Sequence, residues 1–421
     1  MQNTWNLNDA AVDYALLEKV NPVFNTAKMT LFQLAANGDE DAAMLSKRMG
    51  LTLEATQNSA TTKASPEQVL GGTIMLEIRY RTMARLAKES GYTLVDLPCG
   101  YTSRGIRMSR QGRTYLGFDL PAVIDAMVPA VAGIIGKSES VSYHAVDATN
   151  YESMAAPLTG NGPLLVTTEG LLMYFVQSEL ETVFANIHRL LQKHGGSWVI
   201  TDRAYFLHDR EIVAAALNND PQLTAMYAAV TNRAAATTAD VKFNDSVFFD
   251  PDDAKVRAFI GRMGFELNEI CMGDYLPDEI GSLRQSPEAE PAVREVFRKM
   301  MFWELTVAEQ SAAKPAPVDA NLPFRVECSV KDGTFEVSIQ GRMDTITAPE
   351  LLKRFQEAGS GVRAIHIDVR RMSYVSSAGL RVLLMMYKSL KDKDGFAMTG
   401  VSDAVREILE TTGFDQFLLK G

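Results

Sequence analysis

Short apolar runs that end in an acid recur along the first half of the chain. Leu94-Val95 runs into Asp96, Leu116-Gly117-Phe118 into Asp119, and Leu164-Leu165-Val166-Thr167-Thr168 into Glu169. Runs of this length, bounded by turn residues, read as buried strands. The pattern predicts strands over Thr93–Leu97, Thr114–Phe118, Val141–Ala145, Leu164–Thr168 and Ser197–Asp202. Helical spacing fills the gaps, most clearly over Glu179–His194, where Gly195-Gly196 is a stop signal. Strands alternating with helices predict an α/β fold with a mostly parallel, doubly wound sheet and helices on both faces. Ligands of such sheets sit at the carboxyl ends of the strands. Asp96, Asp119, Asp147 and Glu169 all fall at those ends.

The flanking patterns differ. Asp9 to about Met49 reads as helices broken at Asn21-Pro22 and Asn37-Gly38, and residues 51–66 as a loop or a mobile helix. Gly71–Ser90 is helical and carries Arg79, Arg81 and Arg85. Residues 1–90 thus form a helical N-terminal cap, and 91–310 a core. From Asp202 to Asp250 the alternation gives way to a helical insertion, about 203–250. Asp253–Met263 reads as a helix, Phe265–Tyr275 as a closing antiparallel hairpin, and Pro287–Glu309 as a charge-rich helix. Residues 311–323, with three prolines, form a linker.

Beyond the linker, 324–421 carries its own pattern. Phe324–Val330 and Thr334–Gln340 are strands around the turn Lys331-Asp332-Gly333. Thr347-Ala-Pro-Glu350 is a capping box that starts a helix to about Ala358. Ala364–Val369 is a buried strand, Ser377–Lys391 a helix, Phe396–Thr399 a strand, Ala404–Thr411 a helix, and Phe417–Leu418 a short last strand.

Composition narrows the function classes. The 421 residues carry a formal charge of −10, which argues against broad nucleic-acid binding. No apolar run reaches ~18 residues, so no membrane span is expected. The opening MQNTWNLNDAAVDY lacks the basic and apolar regions of a signal peptide. The three cysteines are far apart and suit a reducing cytoplasm. The five histidines are scattered without H-x-x-x-H or C-x-x-C spacing, so no metal site is expected.

The candidate chemistry centres on residues 94–121. Strand, glycine turn at Gly100, helix, strand and Asp119 is the first half of a nucleotide-binding βαβ unit, in which the second acid can accept ribose hydroxyls. Gly100 allows close backbone approach, but Gly100-Tyr-Thr-Ser-Arg-Gly105 lacks G-x-G-x-x-G spacing, which argues against a pyrophosphate. Together with Phe118-Asp119-Leu120-Pro121, Asp147-Ala148 and Glu169-Gly-Leu-Leu-Met-Tyr-Phe, this stretch resembles the leucine carboxyl methyltransferase family, over roughly 70–283. That family also includes small-molecule O-methyltransferases.

The resemblance implies a class I, Rossmann-like methyltransferase sheet and S-adenosylmethionine as cofactor. It places Arg81 near the cofactor's carboxylate, the amino acid part over Asp96 and Gly100, the ribose on Asp119 and the adenine amine on Asp147-Ala148. The family often has an acid two residues before Asp119, where this chain has Gly117. Asp147 could instead cap the following turn. Glu169 and Tyr174 would line the pocket near the sulfonium, while Asp202, Arg203 and Tyr205 are candidates for the acceptor pocket. Tyr205 suits the core equally well. The acceptor is left open between a small carboxylic acid, a phenol and a protein C-terminus. A carboxylate acceptor is already nucleophilic and needs no base, so catalysis would rest on alignment.

In the C-terminal segment, Gly341-Arg-Met-Asp-Thr, Met372-Ser-Tyr-Val-Ser-Ser-Ala-Gly-Leu and Ile408-Leu-Glu-Thr-Thr-Gly-Phe resemble the STAS domain of anti-sigma factor antagonists, a small α/β fold. The resemblance puts Ser377 at the serine that a partner anti-sigma-type kinase phosphorylates, and Asp344 at a nearby surface acid. Ser376 and Ala378 depart from the family's acid and second serine. Ser377 could equally be a helix N-cap. Two functions are therefore expected: a methyltransferase carrying a STAS module, or a signalling protein whose methyltransferase fold only senses a ligand.

Overall fold

The computed structural model describes residues 3–4, 23–51, 66–160, 162–222, 224–225, 246–284, 286–308, 324–359, 361–390 and 395–419. The expected helix through Met226-Tyr227, the Thr/Ser-rich stretch after Leu51 and the linker at 311–323 lie outside them. The chain folds as two compact units, one within residues 23–314 and the other within 315–421 joined by the N-terminal strand.

The elements, in chain order, begin with β1 (Asn3–Thr4), α1 (Val23–Ala36), α2 (Glu40–Arg48) and α3 (Pro66–Ser90). The core follows with β2 (Thr93–Asp96), α4 (Arg104–Arg110), β3 (Tyr115–Asp119), α5 (Pro121–Ile135), β4 (Val141–Ala145) and α6 (Tyr151–Ala155). It continues with β5 (Leu164–Thr168), α7 (Gln177–His194), β6 (Gly196–Ile200) and α8 (Asp202–Ala216). The unit closes with α9 (Asp253–Arg262), β7 (Phe265–Cys271), α10 (Glu290–Phe297) and β8 (Met301–Val307).

The larger sheet has the order β4-β3-β2-β5-β6-β8-β7. Its β4, β3, β2, β5 and β6 are parallel neighbours, and β8 is antiparallel to both β6 and β7. From β2 the chain moves outward through β3 to β4, then returns to β5 on the other side of β2. Right-handed crossovers in opposite directions put helices on both faces and leave a crevice at the carboxyl ends of β2 and β5. The expected doubly wound sheet is therefore present. Gly195, at φ 73, ends α7 where the glycine pair signalled a stop.

Two sequence expectations fail at the sheet's antiparallel edge. Residues 265–275 do not form a hairpin by themselves, and residues 287–309 are not one helix. The helix stops at Phe297, and Met301–Val307 is the strand that pairs with Phe265–Cys271. The charge count of the segment masked its aromatic, β-favouring end, where Phe302, Trp303 and Leu305 are buried. Behind this edge, the Phe184 ring packs on Trp198 at 4.6 Å, Phe259 at 4.9 Å and Phe248 at 5.9 Å. Phe184→Ala would open a cavity at this junction. It is expected to cost about 3–5 kcal/mol in a denaturation curve followed by Trp fluorescence; a loss under about 1 kcal/mol would contradict this packing.

The smaller unit holds β9 (Arg325–Lys331), β10 (Thr334–Met343), α11 (Ala348–Ala358), β11 (Ala364–Val375), α12 (Ser377–Ser389), β12 (Phe396–Thr399), α13 (Asp403–Thr411) and α14 (Asp415–Leu418). Its sheet order is β1-β9-β10-β11-β12. Asp332 (φ 50) and Gly333 (φ 81) make the two-residue hairpin turn that the sequence signalled. The N-terminal strand, ahead of the expected helices, pairs Asn3 with Cys328 and Thr4 with Glu327. Phe417-Leu418 is not a strand but part of one helical turn, which buries Leu418 and leaves Phe417 exposed. Strand β11 runs on to Val375, past the expected Val369. No helix among the described residues is long and apolar enough to cross a membrane.

Candidate functional site

The carboxyl ends of β2 and β5 converge on one buried cation. The Arg104 guanidinium, 2% exposed, donates to Asp96 Oδ1 at 2.7 Å and pairs with the Glu169 carboxylate. Its planar fork thus ties the end of β2 to the residue after β5. Asp96 also accepts from the Tyr115 hydroxyl at 3.0 Å and the Thr167 hydroxyl at 3.1 Å. Both its oxygens are engaged inside the protein, so Asp96 anchors the turn. The negative neighbours Asp96 and Glu169 hold the Arg104 guanidinium charged despite the desolvation that opposes it. Nothing in the local sequence pattern sets this arginine apart from Arg107 and Arg110.

The glycine turn is closed from the neighbouring strand. Gly100, at φ 52, donates its N–H to Asp119 Oδ2 at 2.7 Å. A side chain at Gly117 would meet the Tyr143 ring, with Cδ1 2.5 Å from the Cβ position. This explains why no acid stands there: Tyr143 fills the space. At the end of β4, Asp147 Oδ1 accepts from Thr149 N at 2.8 Å and from its hydroxyl at 2.6 Å. Asp147 Oδ2 is buried and receives no hydrogen bond. The following helix α6 is capped by Asn150 rather than by Asp147. The Ala148 carbonyl is buried against Asn186 Nδ2 at 2.9 Å.

On the other side of the crevice the acids are again internal. Asp202 accepts the backbone N–H groups of Gly170 (2.5 Å), Leu171 (3.1 Å) and Leu172 (2.8 Å). It therefore shapes the Glu169–Tyr174 loop. Arg203 is fully buried: it donates to the Phe248 and Asp250 carbonyls at 3.0 and 2.9 Å and pairs with Asp253 at 2.9 Å. That bonding is structural.

The arginine of α3 that meets Glu169 is Arg79, not Arg81. Arg81 pairs with Glu77 at 3.0 Å and donates to the Glu279 carbonyl at 3.1 Å. Two residues earlier on α3, a rotation of roughly 200° places Arg79 on the opposite side of the helix. Its Nε lies 3.5 Å from Glu169, and its guanidinium lies 5.4 Å over the Tyr205 ring. Tyr205 is buried, and its hydroxyl has no hydrogen-bond partner. Tyr174 is half-buried, and burial raises its phenol above the usual range.

In the smaller unit, the serine readings change. Ser376, not Ser377, is the N-cap of α12: its hydroxyl accepts from Gly379 N at 3.3 Å. Ser377 is the first helical residue, and its side chain lies outside the described residues. Asp344 is not a surface acid. It is 4% exposed and accepts from Ile346 N at 3.1 Å and from Thr347 N and Oγ1, each at 3.0 Å. Thr347 spends its hydroxyl there and does not cap α11, and Glu350 pairs with Arg354 at 2.7 Å, so the capping box does not form.

Burial pushes the Glu169 carboxyl above its ordinary 4.5, against the pull of Arg104 and Arg79. A raised folded-state pKa adds stability at acid pH that is lost as pH climbs through 4.5 toward the raised value. Glu169→Gln should therefore improve relative to the parent as pH rises above 4.5, whatever its offset at acid pH, read as the trend in the Tm difference. A pH-independent difference would contradict this.

Residues 328–420 match the family model described as "Mlab, STAS domain". The anti-sigma-B factor antagonist of Staphylococcus aureus (strain NCTC 8325 / PS 47) is 30% identical over 97 residues, 23% of this chain and 90% of that protein. Among solved structures, the chain is similar to an O-methyltransferase family protein from Burkholderia thailandensis, with 15% identity, 65% of this chain and 74% of that one covered, and a TM-score of 0.32. It is also similar to magnesium protoporphyrin IX methyltransferase from Synechocystis PCC 6803 with bound S-adenosylhomocysteine, at 9% identity, 56% and 83% coverage and a TM-score of 0.30. Through its C-terminal unit, the chain belongs to the STAS-domain family of anti-sigma factor antagonists.

Proposed function

We propose that the larger unit is an S-adenosylmethionine-dependent O-methyltransferase of the leucine carboxyl methyltransferase type, which the STAS unit connects to a protein partner. The observation that carries this reading is the buried, unpartnered Asp147 Oδ2 at the carboxyl end of the sheet. A buried acceptor without a donor is costly unless a ligand supplies one. An adenine amine is such a donor. The residues present fit the cofactor: Gly100 gives close backbone approach, Asp119 would accept the ribose hydroxyls, and Asp147 the adenine amine. When bound, the cofactor supplies an electrophilic methyl group on a sulfonium.

The remaining residues act on the acceptor. The Arg79 guanidinium and the Tyr205 hydroxyl provide donors for one carboxylate, holding it by charge-assisted bonds. A carboxylate is already the nucleophile, so these groups orient it and no base is needed. Asp202 and Arg104 keep the Glu169–Tyr174 loop fixed beside them, through the bonds described above.

Calorimetry of the full chain with S-adenosylhomocysteine tests the cofactor half. Asp119→Ala should weaken binding by about 1–3 kcal/mol, and binding unchanged in that variant would remove Asp119 from the site. For the acceptor half, the chain is incubated with cell extract and S-adenosylmethionine labelled in its methyl group. A methyl ester releases the label as volatile methanol in mild base; base-stable label would overturn the carboxylate acceptor. Arg79→Met should cut this transfer while leaving the affinity for S-adenosylhomocysteine unchanged. A fall in that affinity would make Arg79 a cofactor ligand instead.

For the STAS unit we propose that a partner with an anti-sigma-type kinase domain docks near Ser377 and phosphorylates it. The position at the start of α12 supports this, because a helix N-terminus tolerates added negative charge. Ser377→Asp should leave Tm nearly unchanged and abolish partner pull-down, whereas Ser377→Ala should retain it. Identical capture by both variants would refute the switch.

A further inference from the structure

Ser103 is the N-cap residue of α4, yet its hydroxyl makes no capping bond to its own helix. It donates instead to Asp39 Oδ1 at 3.3 Å and lies 2.9 Å from the Tyr80 hydroxyl. Ser103 is fully buried, three residues beyond Gly100. Asp39 is itself the N-cap of α2, accepting from Ala42 N at 2.9 Å, and its second oxygen takes Arg107 Nη2 at 2.5 Å. One buried carboxylate thus fixes the start of α2 and the start of α4 together. Asp41 extends the seam by pairing with Arg110. Ser103, Arg107 and Arg110 are spaced i, i+4 and i+7, so a single face of α4 meets the acidic first turn of α2. The Tyr80 ring lies 4.9 Å from the Arg104 guanidinium carbon and 5.6 Å from that of Arg107.

These contacts have a direction. Nothing in a βα turn requires its N-cap serine to leave the helix it starts. Here the hydroxyl is spent on the N-terminal helices, and the segment held is the end of the glycine turn. We infer that Asp39 and Ser103 are positioning residues that couple docking of the N-terminal helices to the conformation of the Gly100 turn, so that cofactor affinity depends on this latch. The inference rests on the proposed cofactor site at that turn. Coupling of this kind is reciprocal: the ligand must tighten the latch as much as the latch tightens the ligand.

The test uses the full chain with S-adenosylhomocysteine as probe. Asp39→Asn keeps a capping side chain for α2 but removes the charge that Arg107 pairs with, and Ser103→Ala removes the link itself. Each variant should raise the calorimetric Kd about tenfold. The double variant should be little weaker than either single one, because both cut one connection. Hydrogen exchange should slow across 39–48 when the probe is added to the parent, and less so in Ser103→Ala. A merely structural latch would lower Tm and leave both readouts unmoved, which would overturn the inference. So would additive effects of the two substitutions. If the parent itself fails to bind the probe, the proposed cofactor site falls and this coupling with it; parent binding with unchanged variants removes only the coupling.

Discussion

The carboxyl edge of the larger sheet depends on the guanidinium of Arg104 between Asp96 and Glu169. Burying three charges is expensive, and a well-packed apolar replacement is often as stable or more so. Removing one member of such a set is a different matter, because it strands an unpaired charge worth about 3–5 kcal/mol. The triad therefore defines geometry more than it adds stability. It joins β2, α4 and the loop after β5. The glycine turn lies between the first two, and the Glu169–Tyr174 loop begins at the third.

Acids at strand ends do different work here from what their positions suggest. Asp96 and Asp202 are saturated by internal donors, three each. They build the walls of the crevice. Asp147 Oδ2 and the Tyr205 hydroxyl are buried without partners. Groups that are buried and unsatisfied are ones a ligand can satisfy, and Arg104 Nε at the same edge is unpartnered too.

The order of the parallel strands was legible because the central ones, β2, β3 and β5, are short apolar runs, as buried parallel strands tend to be. Four features were not. Arg104 stands among polar residues in Ser-Arg-Gly-Ile-Arg-Met-Ser-Arg, so periodicity alone marks it as a surface position, while tertiary pairing buries it. Arg79 and Arg81 differ by two residues, and only the phase of α3 decides which one meets Glu169. Strand β8 was hidden by the charges of the helix before it. Ser376 and Ser377 are both plausible caps by residue type. The extended backbone of Ser376, at φ −83 and ψ 171, makes it the cap. The first two turn on long-range contact and helix phase, which local pattern does not encode; the last two turn on where one element stops and the next begins.

The most direct measurement is a crystal structure of the full chain grown with S-adenosylhomocysteine. The account requires ligand density in the crevice at the carboxyl ends of β2, β3 and β4, with a donor within hydrogen-bond distance of Asp147 Oδ2. It also requires the Arg104 bridge to be intact. Ligand density elsewhere, or an Asp147 Oδ2 left unpartnered beside a bound ligand, would contradict it.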